Sequence, residues 1–217
     1  MEVDPRAIAA LNNLKNSDTD LRVFWFQNNR DMRAFADLVI SATEAIIADR
    51  EQSASSDQWI RTNWRDIQLS RDGLTYEAQG LSPSMRIVAK FLPPLSAKQA
   101  NRFWLNATRD VHLATASAFG MIATRDAQDA KQLLEAGRLW QRMHLCATVH
   151  GVSMHPLSQP VERRDREIQL LQPPTFAKAL ADLQQDDGWQ AVMPFRLGYP
   201  TRSALPSPRR EIASVLI

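Results

Sequence analysis

Two neighbouring arginines and one short histidine-bearing segment are the parts of this sequence best suited to chemistry. Arg209 and Arg210 stand side by side in "SALPSPRRE", behind Pro206 and Pro208. Proline fixes φ, so such a loop presents its guanidinium groups with less freedom left to lose on binding. A guanidinium fork matches a pair of phosphate oxygens. The plainer alternative is a solvated pair near a terminus. The second segment is "HGVSMHPLSQ", His150 to Gln159. A long apolar helix stops at Gly151, and the chain then runs through small residues to Pro156. Such a loop can offer backbone N–H and C=O groups to a planar ligand, with His155, Ser158 and Gln159 adding side-chain groups. A simple connection between two elements is the alternative.

The remaining reactive side chains point to structure instead. His112, His144, His150 and His155 include no pair four residues apart and no zincin-like arrangement, so no metal site is expected. Cys146 and His150 lie one helical turn apart, but "MHLCATVHG" reads as buried, and core packing explains the cysteine better than catalysis. "VERRDRE" (Val161–Glu167) mixes both signs and reads as a solvated helix face, not a nucleic-acid surface. In "WIRTNW", Trp59 and Trp64 are expected in the core with Arg61 and Arg65 outward.

The elements that must position these groups follow from periodicity and punctuation. Asp4, as N-cap, and Pro5 open a short helix over "DPRAIAALNNLKN". "LRVFWFQ" (Leu21–Gln27) predicts a strand. Asn29–Glu51 predicts a helix burying Phe35, Leu38, Val39, Ala42, Ile46 and Ile47. "QSASSD" predicts a break, followed by a short helix capped by Ser56 or Asp57. Ser70–Ser84, with two glycines and a proline, predicts loop, and "SMRIVAKFL" a short amphipathic segment stopped by Pro93. Ser96 caps a helix over the next residues. Thr115–Thr124 predicts a second strand. Ala127–Gly151 predicts the longest helix, with Leu133, Ala136, Trp140, Met143 and Ala147 on one face. Gly137 beside them suggests close approach of another backbone. "VSMHPLSQPVE" predicts loop, Thr175–Gln185 a helix, and Gly188–Gly198 a final strand alternating Trp189, Ala191, Met193, Phe195 and Leu197 onto one face. Helices with about three strands give an α+β or α/β class with a small sheet.

Composition excludes several functions. The balance of 26 basic and 24 acidic side chains, net +2, gives no general attraction for nucleic acid or membrane. The single cysteine excludes an internal disulfide. No apolar run reaches about 18 residues, and the N-terminus lacks signal-peptide features, so a cytoplasmic protein is expected. The length of 217 residues fits one domain.

Several stretches carry a resemblance in combination. They are "ATEAIIADREQS", the Trp59–Thr75 pattern W-x-R…IQ-x-x-RDGLT, "AQGL", "AGRLWQRMHLCATVHG", "HPLSQ" and "FRLGYPTRSALPSPRR". Together they resemble the C-terminal half of the Acg-type FMN-binding family, a branch of the nitroreductase superfamily. The resemblance implies a nitroreductase-like α+β fold, a small antiparallel or mixed sheet flanked by helices. It implies FMN, with Met154, His155, Pro156, Leu157 and Ser158 touching the ring and Arg209 and Arg210 reaching the phosphate. It further implies an oxidoreductase passing electrons from NAD(P)H to a small-molecule acceptor; no residue stands out as catalytic. Residues 1–217 would be a single nitroreductase-like domain lacking the N-terminal half of the family. The upstream Asn-Thr-Gln-Pro-Trp and Arg-x-x-Asn-Arg motifs of full-length members are not in this sequence, so a homodimer or a separate N-terminal half would complete the site. Two other readings stay open: a flavin-sequestering protein without turnover, and a truncated remnant that only dimerises.

Overall fold

The computed structural model describes residues 2–14, 20–61, 63–75, 84, 87, 95–186, 188–203, 205 and 207–216. The chain divides into two units, Met1–Ile46 with Phe103–Pro200 and Ile47–Arg102 with Thr201–Ile217. In chain order the first elements are α1 (Pro5–Asn12), β1 (Leu21–Phe26), α2 (Asn29–Ala48), α3 (Arg50–Asp57), β2 (Ile60–Arg61), α4 (Trp64–Ser70) and β3 (Leu74–Thr75). Then come α5 (Ala97–Ala107), a π-helical turn (Thr108–Leu113), β4 (Ala118–Thr124), α6 (Ala130–Val149), β5 (Ser153–Pro156), α7 (Gln159–Gln169), α8 (Thr175–Gln184), β6 (Gln190–Gly198) and a short 3-10 turn (Ile212–Ser214).

The first unit is built on an antiparallel sheet of order β1-β4-β6-β5. Every residue of β4 is buried, as a central strand covered on both faces requires. On one face Val23, Ala118, Ile122, Phe195 and Leu197 pack with Leu11 of α1 and Ala136, Leu139, Met143 and Ala147 of α6. On the other, Phe26, Phe119 and Met121 pack with Phe35 and Val39 of α2, Val161 of α7 and Leu180 of α8. The Phe35 and Phe119 rings stack at 4.6 Å. The predicted α+β class is therefore observed, with a sheet of four strands.

Local chemistry explains the helix starts. Asp4 accepts from the Arg6 amide, with Pro5 in the first turn of α1. Ser96 and Gln99 form a reciprocal capping box before α5. At Gly120 of β4 a Cβ would lie 2.3 Å from Cζ of Phe195, so the missing side chain is the seat of that ring. Trp25 and Trp140 close around the same ring at 5.6 and 5.4 Å.

In the second unit β2 pairs with β3 in parallel, and Gly73 takes a positive φ of 74° just before β3. A Cβ there would meet the Trp59 carbonyl oxygen at 2.4 Å.

Five expectations are corrected. The "QSASSD" stretch is helical: the chain breaks earlier, at Asp49, whose side chain accepts from the Gln52 amide and starts α3. The next helix begins at Trp64, capped by Asn63 and not by Ser56 or Asp57. Trp59 is exposed, not core. Gly137 is exposed, and a Cβ there would meet nothing within 4 Å, because the buried stripe of α6 runs through Ala136 and Leu139. "VERRDRE" is largely buried at Arg163, Arg164 and Glu167, because α8 packs over it. Glu167 accepts from the Phe176 amide in the first turn of α8, and Arg164 donates to the Ala191 carbonyl. The "SMRIVAKFL" segment lies almost wholly outside the described residues.

Candidate functional site

The segment read as a loop, Met154–Ser158, is for the most part an edge strand. Ser153–Pro156 pairs with β6, and the Leu157 amide extends the ladder by donating to the Pro194 carbonyl at 2.8 Å. Pairing sorts the side chains by alternation. Met154 is buried opposite Leu197 in the core, whereas His155 lies opposite Arg196 on the other face. Leu157 is fully buried. Ser158 then turns the chain into α7, its hydroxyl donating to Glu162 at 2.5 Å.

This strand-to-helix corner has unspent hydrogen-bonding capacity. Among the described residues no acceptor takes the amide N–H of Ser158 or Gln159. The Gln159 side chain is buried, and its Oε1 has no partner. Two free amides at a helix start and one orphaned acceptor are a donor–acceptor set that a planar polar ligand satisfies. The donor set thus fits the edge of a flavin ring. Met154 and Leu157 point into the core, so their share of any ring contact is limited to backbone.

Next to the corner sits a cluster of two histidines and an arginine. The rings of His112, from the π-helical turn, and His155 lie 5.0 Å apart at 57°. Nη1 of Arg196 donates to the carbonyls of Val111 (3.3 Å) and His112 (2.9 Å) and to the Thr115 hydroxyl (3.3 Å). It thereby ties the π-helical turn to β6. Burial first, and then the Arg196 charge, pushes both imidazoles down to about 4. Burial also lowers Arg196 itself. Sequence reasoning passed over His112 and Arg196. The available signal was Arg196 standing on the opposite face from Phe195 and Leu197 in an otherwise apolar strand.

In the second unit the two arginines differ. Arg210 pairs with Asp72, which also holds Arg61 at 2.9 Å. Its neighbour Glu211 pairs with Arg71. The tail is thus clipped to the 71–72 turn by two ion pairs of opposite sense. Hydrogen bonds from Arg210 first, and then from Arg61, hold the Asp72 carboxyl below its usual range. Arg209 is exposed and has no partner among the described residues. Arg209 therefore fits a phosphate directly, while Arg210 must first leave Asp72. The structure assigns Met154–Ser158 to the first unit and both arginines to the second.

No protein-family model matches the chain, and no curated protein sequence does. Solved structures do. The FMN-dependent nitroreductase NfnB from Mycobacterium smegmatis, in complex with NADPH, is similar over 100% of this chain and 89% of its own, at 16% identity and a TM-score of 0.59. The FMN and NADPH-dependent nitroreductase NfnB from sphigopyxis sp. strain HMH is similar over 100% of this chain and 90% of its own, at 12% identity and a TM-score of 0.60. A nitroreductase with bound FMN from Desulfitobacterium hafniense DCB-2 is similar over 100% and 88%, at 10% identity and a TM-score of 0.55. The fold is that of these nitroreductases.

Proposed function

We propose that this chain is an FMN-dependent oxidoreductase of nitroreductase type, corresponding to the C-terminal half of an Acg-type chain, which takes electrons from NAD(P)H. The observation that carries this is the coincidence of the fold with the open corner at Ser158 and Gln159. The fold alone hosts many functions; the unsatisfied amides and the buried Gln159 Oε1 are what a flavin ring would occupy. Bound FMN would supply the two-electron exchange between the nicotinamide and a small-molecule acceptor.

The chain's own residues have three tasks. The Ser158 and Gln159 amides orient the ring, and the N-terminal end of α7 favours negative charge developing near them. Arg209, and Arg210 when released from Asp72, hold the phosphate. Buried Leu157 and Met154 keep the β5 edge rigid behind the corner. No side chain is assigned as a proton donor. A homodimer, or a separate N-terminal half, would supply the rest of the wall. No described helix is long and apolar enough to cross a membrane.

The test is a titration of the purified chain with FMN, followed by flavin fluorescence, and then anaerobic addition of NADPH or NADH. Saturable binding and bleaching of the flavin are expected. Binding without bleaching would leave a sequestering protein, and no binding at high micromolar FMN would remove the proposal.

A further inference from the structure

Arg196 uses only part of its hydrogen-bonding capacity. Its guanidinium has five N–H donors, and Nη1 alone meets three acceptors, the Val111 and His112 carbonyls of the π-helical turn and the Thr115 hydroxyl just after it. Among the described residues nothing accepts from Nε or Nη2. These two nitrogens form the edge that grips a carboxylate side-on with two parallel bonds. No carboxylate of the described residues lies within ion-pair distance of the guanidinium. The group is half-buried, and among the described residues no counter-charge balances it, so an incoming anion meets an uncompensated charge.

Two imidazoles lie near this guanidinium, close enough for its charge to act on both. His155 is the cross-strand partner of Arg196, and His112 lies 5.0 Å from His155, ring to ring. The Nδ1 of His112 is buried and has no partner. Three side chains that are cationic or can become so therefore come together from β5, β6 and the π-helical turn, and no acid among the described residues acts on the two imidazoles. Glu44 is engaged elsewhere, with Arg109 at 3.6 Å.

We propose that the Nε/Nη2 edge of Arg196, with the imidazoles of His155 and His112, is a binding site for a small carboxylate. The planar fork takes both oxygens of a carboxylate, whose single charge matches the one permanent cation of the site, and the imidazoles supply further donors. The site stands without any flavin. Joined to the flavin reading, on which this one step rests, it makes the electron acceptor a carboxylate-bearing molecule, since His155 directly precedes Pro156–Ser158.

Affinity at this site depends on pH in a fixed sense. The charged or titratable groups facing each imidazole are Arg196 and the other imidazole. A bound anion favours the imidazolium, so binding raises both histidines from about 4 and strengthens as pH falls below 7. The gain ends where the carboxylate itself takes a proton.

The experiment is an NMR titration of the histidine ring C–H signals of the full chain with sodium benzoate, at constant ionic strength and without FMN. Saturable movement of the His112 and His155 signals is expected, together with a rise in the midpoint of both titrations. Arg196→Lys keeps the charge and loses the fork, so affinity should fall roughly tenfold to a hundredfold. His155→Gln leaves the Arg196 bonds to the π-helical turn intact and should weaken binding and flatten its pH dependence. No saturable movement up to about 50 mM benzoate would overturn the site. So would equal affinity in the wild type and both variants, or tighter binding of inorganic phosphate than of benzoate. Because FMN is absent, failure here leaves the flavin proposal standing, and failure of FMN binding leaves this one standing.

Discussion

At pH 7 the imidazoles of His112 and His155 are uncharged, because burial and the neighbouring Arg196 hold them near about 4 against an ordinary 6.5. Protonation therefore favours the unfolded chain. The stability these groups contribute is full above pH 6.5 and is lost as pH falls through 4. For half-buried His112 the loss is at most about 3 kcal/mol; His155, more exposed, contributes less because water screens it. Urea unfolding midpoints should fall between pH 6.5 and 4, and His112→Gln should flatten that slope; an unchanged slope would place the sensitivity elsewhere. Asp72 makes the other residue-scale prediction. It pairs with Arg210 and would compete with a phosphate for it. Asp72→Asn should tighten FMN binding, whereas Arg209→Gln should weaken it by roughly tenfold to a hundredfold in a fluorescence titration. Both arginines were legible in the sequence from their proline-stiffened loop. Asp72 was not, because an ion pair joining residues 138 positions apart leaves no local pattern.

Among the elements, β4 and β6 depend on one another through Gly120 and Phe195. The ring lies over the glycine, so Gly120→Ala must push it against Trp25 and Trp140. A loss of about 1–3 kcal/mol is expected, read as a lower midpoint in chemical denaturation. A variant as stable as the parent would mean the ring can move aside. The long periodic elements, α2, α6 and β6, were legible as elements because their apolar spacing is repeated several times, although a register shift in β6 carries Ala191 to the opposite face from Phe195 and Leu197, and Leu133 of α6 is exposed. The shortest strands, β2, β3 and β5, were not. β5 spans four residues, too few for an alternation to register, and it exists because β6 offers an edge. Asp49 overrode the helical pattern running through it because an aspartate at that point caps the following turn more favourably than it continues the first helix. The charged face of α7 misled for a similar reason. Its charges are buried under α8, where Glu167 has an amide to satisfy, and Ile168 faces water instead.

For the whole molecule, α6 decides what else must be present. Its inner face is spent on the sheet through Ala136, Leu139, Met143 and Ala147. Its outer side still carries Leu134, 66% exposed, Leu145, 58%, and Val149, 85%. Spacings of eleven and four residues bring these three back to one face of a helix. Single exposed apolar residues need no explanation, but an aligned set does. A second copy packed across the same face would cover them with the self-complementary contact of a two-fold dimer. Gly137, exposed on this helix with open space where a Cβ would go, would permit the close backbone approach it does not make within the chain. Leu145→Glu should then convert a dimer to a monomer, measured by light scattering across a range of concentrations. It should leave the urea midpoint nearly unchanged, since Leu145 lies outside the core. If the partner copy also supplies part of the flavin wall, the same variant should lose FMN affinity in step with dimerisation. A monomeric Leu145→Glu chain that still binds FMN as tightly as the parent would show that each chain holds its flavin alone, and a parent that is already monomeric at high micromolar concentration would remove the dimer altogether.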